Sequence, residues 1–398
     1  MIVAAGHARN HEESHLGSDR TPLDAVNVFR NAHKGQVVLV MQGGGALGAY
    51  QGGVYQALHE AGIEPDWLIG TSIGAINAAI ICGNTAEQRL SRLKEFWRRV
   101  ERASFWDGIP FWSDLADRIT ALSTMTSGIP GFFESSTQAF HSAENAGCYS
   151  TAPLRSTLTE LVDFDLLNKA KPRLKVGAAQ VRTSTMRYFD SRDMPLTVDH
   201  IMASGALPPA FPPVRIDGEL YWDGGILSNT PTEAIFDDNP RRDSLVFAVN
   251  MWHPIGPEPA TLFDVMHRFK DIQFSSRMND HISRQRETHR LRRIISKLAK
   301  HLPDEARGNP EVREMAAYGC TTIMHVVQLL APRLEKEDHM KEMDFSPDGI
   351  RARWQAGYEN TGRALARAAW IGEFSTIEGV ILHQLDAPDP AKLADAAE

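Results

Sequence analysis

The sequence predicts an α/β fold, and three observations carry that reading. Gln36–Met41 (QVVLVM) is a continuous apolar run rich in β-branched residues, the mark of a strand covered on both faces. It ends in Gly43, Gly44, Gly45 and Gly48, and a helical pattern follows through Val54, Ala57, Leu58 and Ala61 to a stop at Gly62. The order then repeats, with Asp66–Gly70 as strand, Thr71–Gly74 as turn and Ala75–Cys82 as helix. A right-handed crossover makes the two strands parallel neighbours and brings the glycine loop and the Ser72 turn to the same carboxyl edge of the sheet.

Further elements follow in order. Between residues 101 and 150, Phe105, Trp106, Phe111, Trp112, Phe132, Phe133 and Phe140 are interleaved with Ser, Thr, Gly and Pro. This loop-rich insertion reads as a lid or acyl-chain channel, or equally as an extra layer of core. Leu174–Val181 and Met186–Phe189 are strand patterns, and Asp199–Ser204 is a short helix stopped by Gly205 and Pro208-Pro209. Val214–Ile216 and Glu219–Trp222 flank a tight turn at Asp217-Gly218 and deliver Asp223. Leu245–Val249 reads as a buried strand and Thr321–Leu329 as the last one. Leu262–Lys300 and Ser346–Ala368 are helical, the latter with Ser346 and Asp348 as N-terminal signals and Ile350, Trp354, Tyr358 and Leu365 as its apolar stripe.

Composition narrows the function classes. With 398 residues, 42% hydrophobic and 23% charged, the chain can bury a large core and is neither collagen-like nor wholly disordered. A formal charge of −8 argues against a surface built to neutralise nucleic-acid phosphates. Cys82, Cys148 and Cys320 form no C-x-x-C pair, which points away from a disulfide framework or a thiolate zinc site and toward a reducing, cytoplasmic setting. Residues 1–35 read as a mobile arm without the apolar core of a secretory signal. The most apolar stretch, Trp67–Gly83, is shorter than the ~20 residues of a membrane span and carries Thr71, Ser72 and Asn77. Lipid contact is therefore expected only at the surface. The segment from His267 to Lys300 holds ten Lys or Arg against three acids, which suits either a solvated helix face or peripheral docking on anionic lipid.

Three segments carry chemistry. Gly70-Thr71-Ser72-Ile73-Gly74 is a G-x-S-x-G sequence between a strand and a helix, the setting of a nucleophile elbow; Ser72 as a plain N-cap is the bland alternative. Gly43, Gly44 and Gly45 present backbone N–H groups to an oxyanion. The same glycines match a dinucleotide fingerprint, but its ribose-binding acid belongs at the end of the second strand, where Thr71-Ser72 stand, whereas Asp66 lies at the start. Asp223, after Tyr221 and Trp222, reads as a hairpin-turn residue or as a desolvated base. His253 offers a Ser-Asp-His order, yet α/β-hydrolases place the nucleophile after more strands than precede Ser72.

Taken together, GGGALG (Gly43–Gly48), GTSIG (Gly70–Gly74), ASGALPPAFPPV (Ala203–Val214) and DGG (Asp223–Gly225) resemble the patatin-like phospholipase family over about Gln36–Val249. The resemblance implies a three-layer α/β/α sandwich with a mainly parallel central sheet, here with a largely helical C-terminal addition. It implies Ser72 as nucleophile, Asp223 as base, Gly43, Gly44 and Gly45 as oxyanion hole, and Gly48, Gly70, Gly74, Gly224 and Gly225 as supporting glycines. Leu47 departs from the Arg or Lys found there in many members. The expected organisation is a catalytic domain over 36–250, with an insertion at 101–150, and an extension over 251–398. The expected function is a lipid acylhydrolase of phospholipase A type needing no metal or cofactor, with a transacylase, an intracellular polyester hydrolase and a non-catalytic scaffold as alternatives. Oligomeric state is not legible.

Overall fold

In the computed structural model the described residues are 21–102, 128–136, 142–169, 171–334 and 340–384, the side chains of 276–280 excepted. The chain begins with helix α1 (Pro22–His33), strand β1 (Gln36–Met41), helix α2 (Ala49–Glu60), strand β2 (Trp67–Gly70) and helices α3 (Ile73–Cys82) and α4 (Ala86–Val100). Helix α5 (Ala152–Leu161) precedes strands β3 (Arg173–Gln180) and β4 (Thr185–Asp190), helix α6 (Val198–Ser204) and the hairpin of β5 (Val214–Ile216) and β6 (Glu219–Asp223). Strand β7 (Ser244–Asn250), helix α7 (Leu262–His301), strand β8 (Met324–Leu330), helix α8 (Pro347–Arg367) and strand β9 (Val380–Gln384) follow.

The strands form one sheet in the order β9-β8-β7-β1-β2-β3-β6-β5, with β4 paired to β3. From β9 to β3 every pairing is parallel; β4, β6 and β5 join antiparallel. Alternation along β1 explains the three layers. Val37, Leu39 and Met41 enter a large core with α1 to α4, α6 and α8, while Val38 and Val40 enter a smaller core with Phe236 and Ile282 of α7.

Two features depart from the expectations, and a third concerns a reading that was left open. The arm expected over residues 1–35 holds a helix in its second half, because Thr21 and Asp24 form a capping box, Pro22 suits the first turn, and Ala25, Val26 and Phe29 are buried. Residues 1–20 lie outside the described residues. Residues 251–398, expected as largely helical, add both β8 and β9 to the central sheet. Only the first of these strands is legible, because Val380–Gln384 (VILHQ) is a short edge segment without clear periodicity. In the aromatic insertion, Phe132 and Phe133 are buried and cluster with Phe211, Tyr149 and Phe345. Phe105, Trp106, Phe111, Trp112 and Phe140 lie outside the described residues.

Helix α2, which starts at the glycine loop, is held by α8 at backbone distance. A Cβ on Gly53 would stand 1.8 Å from the Trp354 carbonyl oxygen, and one on Gly357 would stand 2.0 Å from that of Tyr50. Trp354 Nε1 donates to Gln56 Oε1 at 2.8 Å and Asn360 Nδ2 donates to the Tyr50 hydroxyl at 3.0 Å. No side chain fits at the crossing, so Gly53→Val is expected to cost at least about 2–3 kcal/mol through overpacking. Gly362→Ala, at a site of the same helix α8 with open space around it, is expected to be neutral or slightly stabilising. Thermal unfolding of the two variants checks this, and an unchanged Tm for Gly53→Val would contradict the close crossing.

Candidate active site

The nucleophile turn begins where β2 ends. Gly70 and Gly74 lie against each other, and a Cβ on Gly74 would also stand 2.3 Å from the Met41 carbonyl oxygen, so the turn is too tight for side chains there. Between them Ser72 takes φ 57 and ψ −127. This left-handed backbone costs a non-glycine residue on the order of 1–3 kcal/mol. It is held by surrounding bonds. The Ser72 N–H faces both the carbonyl and the hydroxyl oxygen of Ser204 at 3.1 Å, and the Ser204 hydroxyl donates to the Gly177 carbonyl at 2.7 Å. Helix α3 starts immediately behind Ser72, so its N-terminal dipole faces the hydroxyl.

Asp223 reaches the same point from the opposite direction. Strand β3 pairs with β2 over Arg173–Val176 and with β6 over Ala178–Gln180, while β4 occupies its other edge. The ends of β2 and β6 therefore abut along one edge of β3, with Gly177 between them. Gly224 packs on the Gly177 carbonyl, 2.4 Å from where its Cβ would be. The Asp223 carboxylate is 2% exposed, faces the Ser72 hydroxyl and accepts a hydrogen bond from the Gly225 N–H at 2.7 Å. Burial pushes its pKa up to about 7, and the neighbouring Ser72 hydroxyl and Gly225 N–H only partly oppose that rise.

The glycine loop forms the third wall. A Cβ on Gly43 would stand 3.0 Å from Ser72 Cβ, which puts this loop against the nucleophile. One expectation needs correction. The Gly43 N–H donates to the Asn229 carbonyl at 3.2 Å, so it is occupied, whereas the amides of Gly44 and Gly45 have no hydrogen-bond partner among the described residues. Gly45 sits at φ 54, and a Cβ there would also stand 2.4 Å from the Glu342 carbonyl oxygen. Gly48 is packed on Ile73.

Ser72, Asp223 and the glycine loop thus meet, and His253 is not among their partners. Its backbone N–H faces Asp271 at 3.4 Å, and burial, aided by the charges of Lys341 and Arg333, lowers its imidazole pKa to about 4. Asp66 serves the amino edge of the sheet, accepting from the Val37 N–H and from Arg30 at 2.8 Å each. Sequence reasoning missed Ser204, Asn229, Gln42 and Trp252. Ser204 lies within ASGALPPAFPPV, so the motif was visible and its hydrogen-bonding role was not. The Asn229 amide donates to the Gly43 carbonyl at 3.1 Å, and Gln42 Nε2 donates to Thr230 Oγ1 at 2.7 Å. Among the described residues no group of three His, Cys, Asp or Glu is arranged to hold a metal ion, and no helix is long and apolar enough to cross a membrane.

Comparison with known proteins bears on this arrangement. The profile of patatin-like phospholipases matches residues 39–236, and a second, described as patatin phospholipase, matches residues 272–376. Lysophospholipase nte1 of Aspergillus terreus is 27% identical over 287 residues, which cover 66% of this chain and 17% of that protein. Patatin-like phospholipase domain-containing protein 7 of Mus musculus is 28% identical over 201 residues, covering 50% and 12%. The chain therefore spans less than a fifth of the length of these two relatives. VipD from Legionella pneumophila aligns with 83% of this chain and 66% of its own, at 14% identity and a TM-score of 0.35. Two matching profiles, together with GGGALG, GTSIG and DGG gathered at one sheet edge, lead to one assignment: this chain belongs to the patatin-like phospholipase family.

Proposed function

We propose that this chain is a serine acylhydrolase that cleaves carboxylic esters of lipids through an acyl-Ser72 intermediate. The observation that carries the proposal is the juxtaposition of the Ser72 hydroxyl with the buried Asp223 carboxylate where β2 and β6 abut on β3. Membership of a phospholipase family supports the lipid ester as substrate class. In the proposed reaction Asp223 takes the Ser72 proton while the Ser72 oxygen attacks the ester carbonyl. The amides of Gly44 and Gly45 stabilise the resulting oxyanion. Collapse of the tetrahedral intermediate expels the alcohol, which takes the proton back from Asp223. Asp223 then deprotonates a water that attacks the acyl-enzyme, releasing the carboxylic acid and regenerating Ser72. A buried carboxylate with a raised pKa is a stronger base than an exposed one, which suits it to this work without an imidazole.

Contact with anionic lipid through residues 267–300 is part of the proposal. Several of the cations there are used within the chain: Arg293 donates to the carbonyls of Thr321, Thr322 and Thr376, and Lys297 donates to Thr376 Oγ1. The first turns of α7 instead expose Leu262, Phe263, Met266 and Phe269. An apolar stripe beside residual positive charge suits an anionic interface.

Four outcomes are expected. An organophosphonate labels Ser72, and Ser72→Ala and Asp223→Asn each lower p-nitrophenyl ester hydrolysis by about 10³-fold or more; labelling elsewhere, or an active Asp223→Asn, would sink the dyad. Because the base works only as the carboxylate, kcat/KM rises with pH through a midpoint near 7. The same raised pKa costs folding stability as pH climbs from the ordinary carboxylate range to about 7. Asp223→Asn escapes that loss, so its stability relative to wild type improves by about 2–3 kcal/mol between pH 5 and pH 8. Denaturant titrations at the two pH values test it, and a pH-independent difference would count against the burial argument. Finally, the protein sediments with anionic vesicles more than with neutral ones, and less at high salt; equal sedimentation would remove the charge from this role.

A further inference from the structure

We infer that Trp252 is a positioning residue for the Gly44 amide, and that the buried Lys341–Asp271 ion pair holds Trp252 in place. The inference rests on the acylhydrolase reading above. The Gly43 carbonyl and the Gly44 N–H share one trans peptide plane and point in opposite directions, so whatever fixes the carbonyl aims the amide. Two buried donors fix it: Trp252 Nε1 at 2.8 Å and Asn229 Nδ2 at 3.1 Å. Neither belongs to GGGALG, GTSIG or DGG.

Trp252 is in turn closely confined. The backbone N–H groups of Met251 and Trp252 donate to Gln42 Oε1 at 2.5 and 3.3 Å. The Phe274 ring lies 4.9 Å from the indole, and the Lys341 ammonium lies 5.0 Å from the indole centre. Lys341 and Asp271 are each 2% exposed, and the ammonium donates to Asp271 Oδ1 at 2.9 Å. The next carbonyl along the chain, that of Glu342, is the one packed against Gly45. One turn, Lys341-Glu342, therefore braces both the indole and the second free amide. Removing Asp271 would leave the buried Lys341 ammonium without its carboxylate, and removing Lys341 would leave Asp271 with only the more distant Arg333 and His267, at 4.0 and 3.6 Å, which makes the pair a stiff brace.

An oxyanion donor acts on the transition state, so a misaimed amide lowers kcat rather than raising KM. Trp252→Phe keeps an aromatic ring and removes the donor. On a soluble p-nitrophenyl ester its kcat is expected to fall about tenfold or more with KM little changed. Affinity for a trifluoromethyl ketone, which forms an oxyanion adduct on serine, should fall by the same factor. Lys341→Met should show the same pattern and Lys341→Arg should recover most of the loss. Should Trp252→Phe fail to fold, benzothienylalanine at position 252 keeps the indole shape without its N–H and gives the same readout. Wild-type kcat and ketone affinity in either folded donor-less variant overturns the role of Trp252. Lys341→Met that loses stability while keeping kcat overturns the role of the ion pair. A wild type that cleaves no ester and resists organophosphonate is a failure of the acylhydrolase reading, distinguishable from both.

Discussion

The site depends on one edge of one strand. Strand β3 offers the same edge to β2, running parallel, and to β6, running antiparallel, and the two ends meet across Gly177. From that junction one chain leaves as Thr71-Ser72 and the other as Gly224-Gly225. Backbone pairing, which fixes position to within a hydrogen bond, thereby sets a hydroxyl beside a carboxylate that lie far apart in sequence. No intermediary side chain is needed between them. The junction is interior to the sheet, so the carboxylate that arrives there is also desolvated, and its raised pKa follows from the same topology.

This arrangement carries local costs. Ser72 sits in a strained backbone region and the Asp223 carboxylate is buried with little beyond the Gly225 N–H and the Ser72 hydroxyl beside it. Apolar cores on both faces of the sheet, a large one and a smaller one, offset them. The part of the chain beyond β7 contributes directly to that support. Strands β8 and β9 extend the sheet beside β7, α8 crosses α2 at backbone distance, and Trp252, Asp271 and Lys341 stand behind the glycine loop. A reading of this segment as an appendage misses that it touches the loop from which the candidate oxyanion donors come.

Legibility followed the range of the interactions concerned. Strand β1, the helix after the glycine loop, the Ser72 turn and the hairpin ending at Asp223 were readable because each is written in contiguous residues: an apolar run, a glycine cluster, a turn pair. Helix α1 had its capping box and proline in plain sight at Thr21–Asp24, but its polar surroundings favoured reading an arm. Strand β9 was unreadable because a short edge segment takes its conformation from its neighbour β8. The assignment of Gly43 as a donor came from the glycine run and the family resemblance it supports, and neither reveals that the Asn229 carbonyl already holds that N–H.

By itself the sequence determined the chemistry available: a serine in a strand-turn-helix elbow, an aspartate at a strand end, and glycines whose amides no side chain screens. These are local facts, set by backbone sterics and residue type within a few positions. Tertiary structure alone decided which of these groups meet, which amides are left unpaired, and what lies behind them. Hydrogen bonds such as Ser204 to Gly177, Asn229 to Gly43, Trp252 to Gly43 and Lys341 to Asp271 join residues distant along the chain. Their partners are chosen by packing of the whole sheet, and a local pattern carries no record of that choice.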